Sequence, residues 1–242
     1  MPIPGQNEYL LSALPALGEL GQGPPIAPAD LLEHVAPFAG PHDLVRTVLL
    51  SDDLLQRQAT LAGEIDKPTP AVLSVEQLRD EAPLPDYLAI AEADTQPVAG
   101  EDLLWEAYYR HAAAIARARG STFMADWTAF EVGLRNAVAA SRARLLELDV
   151  ESYLVATDLA ADADDFAAVV NEWSMASTPL AGLRVLDEAR WRWLNDNDAW
   201  FTFRDDELAA YAVRLMLLTR WRRLSEAEQD RSHASHAGPT QA

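Results

Sequence analysis

Cysteine is absent from this 242-residue chain, which excludes disulfides, thiolate zinc sites, iron–sulfur clusters and cysteine nucleophiles. Lys67 is the only lysine, the other basic residues all being arginine, so Schiff-base and P-loop chemistry have almost nothing to draw on. Histidine is scarce, at 5 residues. Cations as a class are outnumbered: 38 Asp and Glu stand against 19 Lys and Arg, a formal net charge of -19. A phosphate backbone rewards clustered cations through counterion release, and anionic lipid attracts polybasic segments, so neither nucleic acid nor a charged bilayer surface is an expected partner. Long apolar runs are missing as well. A spanning helix needs about 20 mostly apolar residues, and the best stretches, Ala210–Leu218 and Ala156–Val170, are cut by Arg214 or by Asp158, Asp162, Asp164 and Asp165. The opening Met1-Pro-Ile-Pro-Gly-Gln-Asn-Glu8 has neither the basic nor the apolar region of a signal peptide. A soluble, cytoplasmic protein is the expectation.

Beyond residue 100 proline is limited to Pro179 and Pro239, so long helices can dominate there and not before. Strand signals are also lacking: there is no Asn-Gly or Asp-Gly hairpin and no alternating β-branched run. These absences predict an all-α, multi-helix bundle, with at most a short extended segment at Glu8–Ser12. Residues 1–99 read as a Pro-rich acidic region of short helices, at Ala29–Ala36, Pro41–Ala62 (with a break at Ser51, where Ser-Asp-Asp makes a cap and first turn), after the capping box Ser74-Val-Glu-Gln77, and at Pro85–Ala93. Residues 100–231 read as a long-helix bundle, and 232–242 as a disordered tail. Gly100–Arg119 carries Leu104, Tyr108, Ala112 and Ile115 on one stripe, and Gly120 suits the position after its end. Ser121 then caps a helix with Phe123, Trp127, Phe130, Leu134 and Val138 along one face. Further helices are expected near Val150–Ala160, Ala163–Ala176 and Thr178–Asn195, then a polar turn at Asn195–Asp198. The last helix, Asp205–Leu224, has acids in its first turn and Arg220, Arg222 and Arg223 at its end, both matching the helix dipole. The acidic charge is uneven: residues 1–100 carry a net -11 and residues 146–200 a net -9, while the two longest helices lie in segments close to neutral.

Catalytic patterns are sparse. No Gly-x-x-x-x-Gly-Lys-Ser/Thr loop exists, and Lys67 sits in Asp66-Lys67-Pro68 without glycines. Di-iron bundles need Glu-x-x-His pairs; here Glu106 and His111 are five apart, and His111 reads as a structural histidine. Asp162-Ala-Asp-Asp165 lacks the glycine and terminal Glu of a calcium loop and reads as a cap before Phe166. No Gly-x-Ser-x-Gly elbow is present. Catalytic residues, cofactors and metals are therefore not expected. Tryptophan, by contrast, is plentiful: 7 residues, with Trp191, Trp193, Trp200 and Trp221 in the last third. On helices these serve as core or as interface anchors.

Several stretches carry a family pattern. Asn7–Leu17 followed by Gly23-Pro-Pro-Ile26, the pair Leu104–Tyr109 and Phe123–Ala140 with Trp127, Phe130, Glu131, Leu134, Arg135 and Asn136, and then Asp165-Phe166, Leu186-Asp187-Glu188 and Trp193-Leu194 come in order. Phe201-x-Phe203 follows, with Glu207, Ala210, Tyr211, Arg214, Leu215, Arg220, Trp221 and Leu224. Together they resemble a bacterial family encoded beside V-type ATPase genes and akin to the C-type (d-type) rotor-capping component of V/A-type ATPases. The resemblance implies a non-catalytic helical subunit, peripheral to the inner face of the plasma membrane, that couples the central shaft to the proteolipid rotor ring. An acidic surface there would receive a basic shaft tip by charge complementarity. An accessory or assembly protein of that complex, off the rotor axis, and an unrelated helical-bundle enzyme are the alternatives. Trp127, Phe130, Leu134, Tyr211, Leu215 and Trp221 are the expected core. Arg135, Asn136, Arg142, Arg214 and Arg220 are the candidate partner contacts.

Overall fold

A computed structural model of the chain describes residues 6–89, 100–161, 166–197 and 201–236. Among them every regular element is helical. In chain order these are α1 (Gln6–Ser12), α2 (Pro28–Val35), α3 (Ala39–Leu61), α4 (Val75–Leu78), α5 (Gly100–Arg119), α6 (Thr122–Leu145), α7 (Ala167–Ser174), α8 (Pro179–Asp196) and α9 (Asp205–His236), with single 3-10 turns at Asp86–Leu88, Val150–Tyr153 and Thr157–Leu159.

The centre of the bundle is α9. Its stretch Leu208–Leu218 is buried at nearly every position, including Leu208, Val213, Leu215, Leu217 and Leu218 at 0% exposure, and a helix apolar on all sides has to be enclosed by others. It is enclosed chiefly by α3, which packs along it more extensively than any other pair does, and by α8, α6 and α2. α5 bridges α3 and α6, with Tyr108 donating its hydroxyl to the Thr47 carbonyl of α3 at 3.2 Å. The apolar core runs unbroken from Leu10 to Leu218, so the first hundred residues and the long helices share one interior.

Local chemistry explains where the helices stop and start. Gly120 takes φ +63° after α5, and Ser121 opens α6 by accepting the Met124 amide at 3.0 Å. Thr178 caps α8 through the Ala181 amide at 3.1 Å, with Pro179 as its first residue. The Ser74 and Gln77 side chains cap each other's amides, as the capping box predicts.

Several expectations are corrected. The segment from Gln6 to Ser12 is a helix rather than an extended strand, with Leu10 buried against the core. α3 is one 23-residue helix, so the first region is not made of short helices alone. It is unbroken at Ser51 because that hydroxyl turns back to the Val48 carbonyl at 2.8 Å, while Asp52 and Asp53 point inward. Residues 150–160 do not form a helix. Ala156 adopts φ +46°, and between two short 3-10 turns the segment bonds to α6 through Val155. α9 continues past Leu224 to His236, into the stretch read as a tail, so Arg220, Arg222 and Arg223 lie inside the helix and not at its end. Asn195 and Asp196 belong to α8. Of the helix expected over Pro85–Ala93, residues 85–89 are described and form only the turn Asp86–Leu88, which Ala89 ends in an extended conformation; residues 90–93, Asp162–Asp165, Asp198 and Trp200 lie outside the described residues.

Candidate functional site

Two features of α9 stand out, one buried and one exposed. The buried one is a chain of alternating charges. Arg223 grips Asp52 with both terminal guanidinium nitrogens, at 2.8 and 2.7 Å. Arg220 reaches Asp52 at 3.4 Å and Asp187 at 3.2 Å. Arg190 continues from Asp187, at 3.1 Å, to Glu131, which it holds at 2.6 and 3.0 Å. Three arginines and three carboxylates thus tie α3, α9, α8 and α6 together. Burial alone would raise the Asp52 carboxyl, but Arg223 and Arg220 outweigh it and hold the group below the ordinary carboxylate value. Arg190 and Arg223 are correspondingly held in their charged forms, against burial, by Glu131 and by Asp52.

Beside this chain sits a carboxylate of a different kind. Asp53, 1% exposed, accepts the amides of Ala71, Val72 and Leu73 at 2.9, 2.7 and 2.7 Å. It straps an irregular segment to α3, helped by Gln56, whose amide both accepts from and donates to Thr69. Burial pushes Asp53 up to about 6, the three amides pulling the other way and the neighbouring Asp52 charge adding to the rise.

The exposed feature lies just before α9. Phe201 and Phe203 adopt φ +60° and +53°, a region that costs a bulky L residue on the order of 1 kcal/mol or more. Glu207, itself 7% exposed, holds the conformation by accepting both amides, at 3.1 and 2.9 Å. The result presents the two rings outward, at 81% and 46% exposure. Arg204 sits in the same turn with 63% of its side chain exposed. Nearby, the α9 N-terminus is locked to α6, since Ser121 donates its hydroxyl to Asp206.

The five candidate contact residues fall in different surroundings. Arg135 is ion-paired with Asp102 and half-buried. Asn136 is buried and clamps Val155, donating to its carbonyl at 2.7 Å and accepting its amide at 3.1 Å. Arg214 is buried over Trp191 and donates to Asn195 at 3.0 Å. Arg220 belongs to the internal charge chain. Arg142 is the exposed member, stacked over Trp173 at 5.4 Å. They form no common surface: four serve the interior. Trp127, Phe130, Leu134 and Leu215 are buried, while Tyr211 and Trp221 are half-buried. His111 stacks on Tyr87, ring centroids 4.1 Å apart.

Phe201 and Phe203 were legible as part of a sequence pattern but not as a surface. The signal was two aromatics spaced by one residue in a polar turn, with no helical stripe to absorb them. Among the described residues no group of three or more His, Cys, Asp or Glu could hold a metal ion, and no helix is long and apolar enough to cross a membrane.

Residues 81–233 match the model of a family described as "Protein of unknown function (DUF2764)". No curated protein and no solved structure gives a significant match.

Proposed function

The chain belongs to the DUF2764 family, and for this member we propose a non-catalytic role as a subunit of a bacterial V-type ATPase, coupling the central shaft to the proteolipid ring. The choice of complex rests on the sequence resemblance alone; the geometry supports the kind of part. The observation that carries the reading is the Phe201–Phe203 turn, in which a buried carboxylate holds two aromatic rings in a strained, outward-facing conformation. Aromatic side chains fixed in advance lose little freedom on docking and make effective interface anchors. The turn stands at the head of the longest helix, which the charge chain braces to three others. A part that passes torque needs such stiffness between its contact and its body.

The test is co-purification from native membranes, scored for the catalytic V-type subunits and for the proteolipid. Wild-type chain is expected to recover them, and a Phe201→Ser/Phe203→Ser variant to lose them while keeping its helical circular dichroism. Recovery of neither class by the wild type refutes the V-type reading. Undiminished recovery by the double variant refutes the role of the turn.

A further inference from the structure

The C-terminal end of α6 is apolar and open to solvent. Leu145, its last residue, is 83% exposed, more than any other large apolar side chain among the described residues; Leu146 follows at 65% and Leu148 at 44%. From Arg144 to Asp149 six consecutive residues are exposed, and half of them are leucine. Apolar surface gathered in this way marks a contact rather than a scatter of single exposed side chains.

The end is held in this shape. The Leu148 amide donates to the Ala143 carbonyl at 2.9 Å and the Glu147 amide to the Arg144 carbonyl at 3.2 Å, the paired bonds of a Schellman turn. The residue at which the chain reverses in such a turn is usually glycine; here it is Glu147, at φ +57°. A strained, charged residue in a place where glycine sits without strain points to a use for its side chain. Among the described residues neither the Glu147 carboxylate nor the Arg144 guanidinium has a partner. α7 extends the apolar surface. Gly133 lies against Phe166 and Arg142 stacks over Trp173, so α7 runs beside α6 in the same direction. Met175, also exposed, thus leaves α7 at the same end of the bundle as the leucines.

We propose that this end of α6 pairs with the same surface of a second copy of the chain, about a two-fold axis. The order of charges selects that occupant. Arg142 and Arg144 stand before the leucines, whereas Glu147, Asp149 and Glu151 stand among and after them. Two antiparallel copies set Arg144 of each against Glu147 of the other, and leucine against leucine, which is the self-complementarity that a two-fold contact requires. The same three acids turn away an anionic bilayer. An apolar surface of a few hundred Å2 falls short of the ~800 Å2 that each partner gives to a stable complex, so the dimer is weak, with Kd on the order of 10–100 µM. The pairing goes beyond the V-type reading and is remote from the Phe201–Phe203 turn. α6 begins beside that turn, through the Ser121–Asp206 bond, and its 24 residues carry the leucines about 36 Å away. Either reading can fail alone.

Sedimentation equilibrium of the full chain, at about 5 to 500 µM so as to bracket that Kd, tests the pairing. The weight-average mass is expected to rise from 26.6 kDa towards twice that value. Leu145→Ser/Leu146→Ser, at exposed positions, should keep the helical circular dichroism and weaken association by roughly tenfold or more. Arg144→Glu and Glu147→Arg, taken singly, should also weaken it, since each sets like charges face to face. Mixed in equal amounts, these two variants regain opposite charges at both contacts, and the mixture is expected to dimerise as the wild type does. A mass that stays at the monomer value across the range, undiminished association in the leucine variant, or a mixture that remains monomeric overturns the proposal.

Discussion

Arg220 offers the sharpest perturbation, because α9 carries three arginines within four residues in three environments. The Arg220 side chain is 11% exposed and joins Asp52 to Asp187; Arg223, at 26%, is bidentate on Asp52; Arg222, at 59%, pairs with Glu226 one turn along the same helix. Removing one partner of a buried ion pair costs about 3–5 kcal/mol, since the surviving charge stays desolvated. Arg220→Met keeps the aliphatic stem and deletes the guanidinium, leaving Asp187 to Arg190 alone with its second oxygen already unpaired. Asp52 keeps Arg223, so the lower end of the range applies, about 3 kcal/mol. For a chain of this size that lowers Tm by roughly 6–12 °C, at about 2–4 °C per kcal/mol. Arg222→Met removes only an exposed pair and should cost about 0.5 kcal/mol or less. Thermal unfolding followed by circular dichroism measures both variants in one experiment. Equal and small shifts for the two would refute the claim that the alternating charges brace the bundle.

Further outcomes follow from the same contacts. Asn136→Ala strands the Val155 amide and carbonyl and should cost about 1–3 kcal/mol in urea denaturation. Gly133→Ala would set a Cβ 2.5 Å from the Phe166 ring and 3.1 Å from the Ala161 carbonyl; the helix-propensity gain of about 1 kcal/mol is outweighed by overpacking of about 1–3 kcal/mol, and adding Phe166→Leu should recover part of the loss. The two neighbouring aspartates give opposite pH responses. Asp53, raised to about 6 from 3.8, binds its proton more tightly folded than unfolded. Its contribution therefore favours folding below 3.8 and is lost as pH rises through 6, a change on the order of 3 kcal/mol. Asp52, lowered in the fold, contributes stability that is present above its unfolded value and lost as pH falls through the folded one. Comparing Asp53→Asn with wild type between pH 4 and 6 isolates the first: the wild type should lose stability relative to the variant as pH rises, and parallel curves would exclude it.

The helices that were readable are those whose signals are local. α5, α6 and α8 announce themselves through Gly120, Ser121 and Thr178 and through apolar stripes, and each cap works as its residue type dictates. The misreadings arise where side chains replace backbone partners. Residues 150–160 have enough apolar content for a helix, but Asn136 takes the Val155 amide and carbonyl, and only two separate 3-10 turns form in place of a continuous α-helix. Ser51-Asp52-Asp53 looks like a cap and first turn because serine and aspartate prefer such places. Instead both acids lie on buried ground, and Asp52 meets arginines more than 160 residues away. A trace of that pairing is visible in sequence: Asp187 with Arg190 and Arg220 with Arg223 each repeat at i, i+3, beside apolar neighbours. Arginine on such a face serves the interior as readily as a partner, which is why Arg135, Arg214 and Arg220 face inward pairings here. The Phe201–Phe203 turn was beyond local reading, since its shape depends on Glu207 from the following helix.

Coupling is tested most directly in inverted membrane vesicles from cells lacking this chain, with ATP hydrolysis and ion uptake measured together before and after adding back the purified protein. If the chain seats the shaft on the ring, the depleted vesicles hydrolyse ATP without building an ion gradient, wild-type protein restores the gradient, and Phe201→Ser/Phe203→Ser does not. A full gradient in the depleted vesicles would contradict the coupling role.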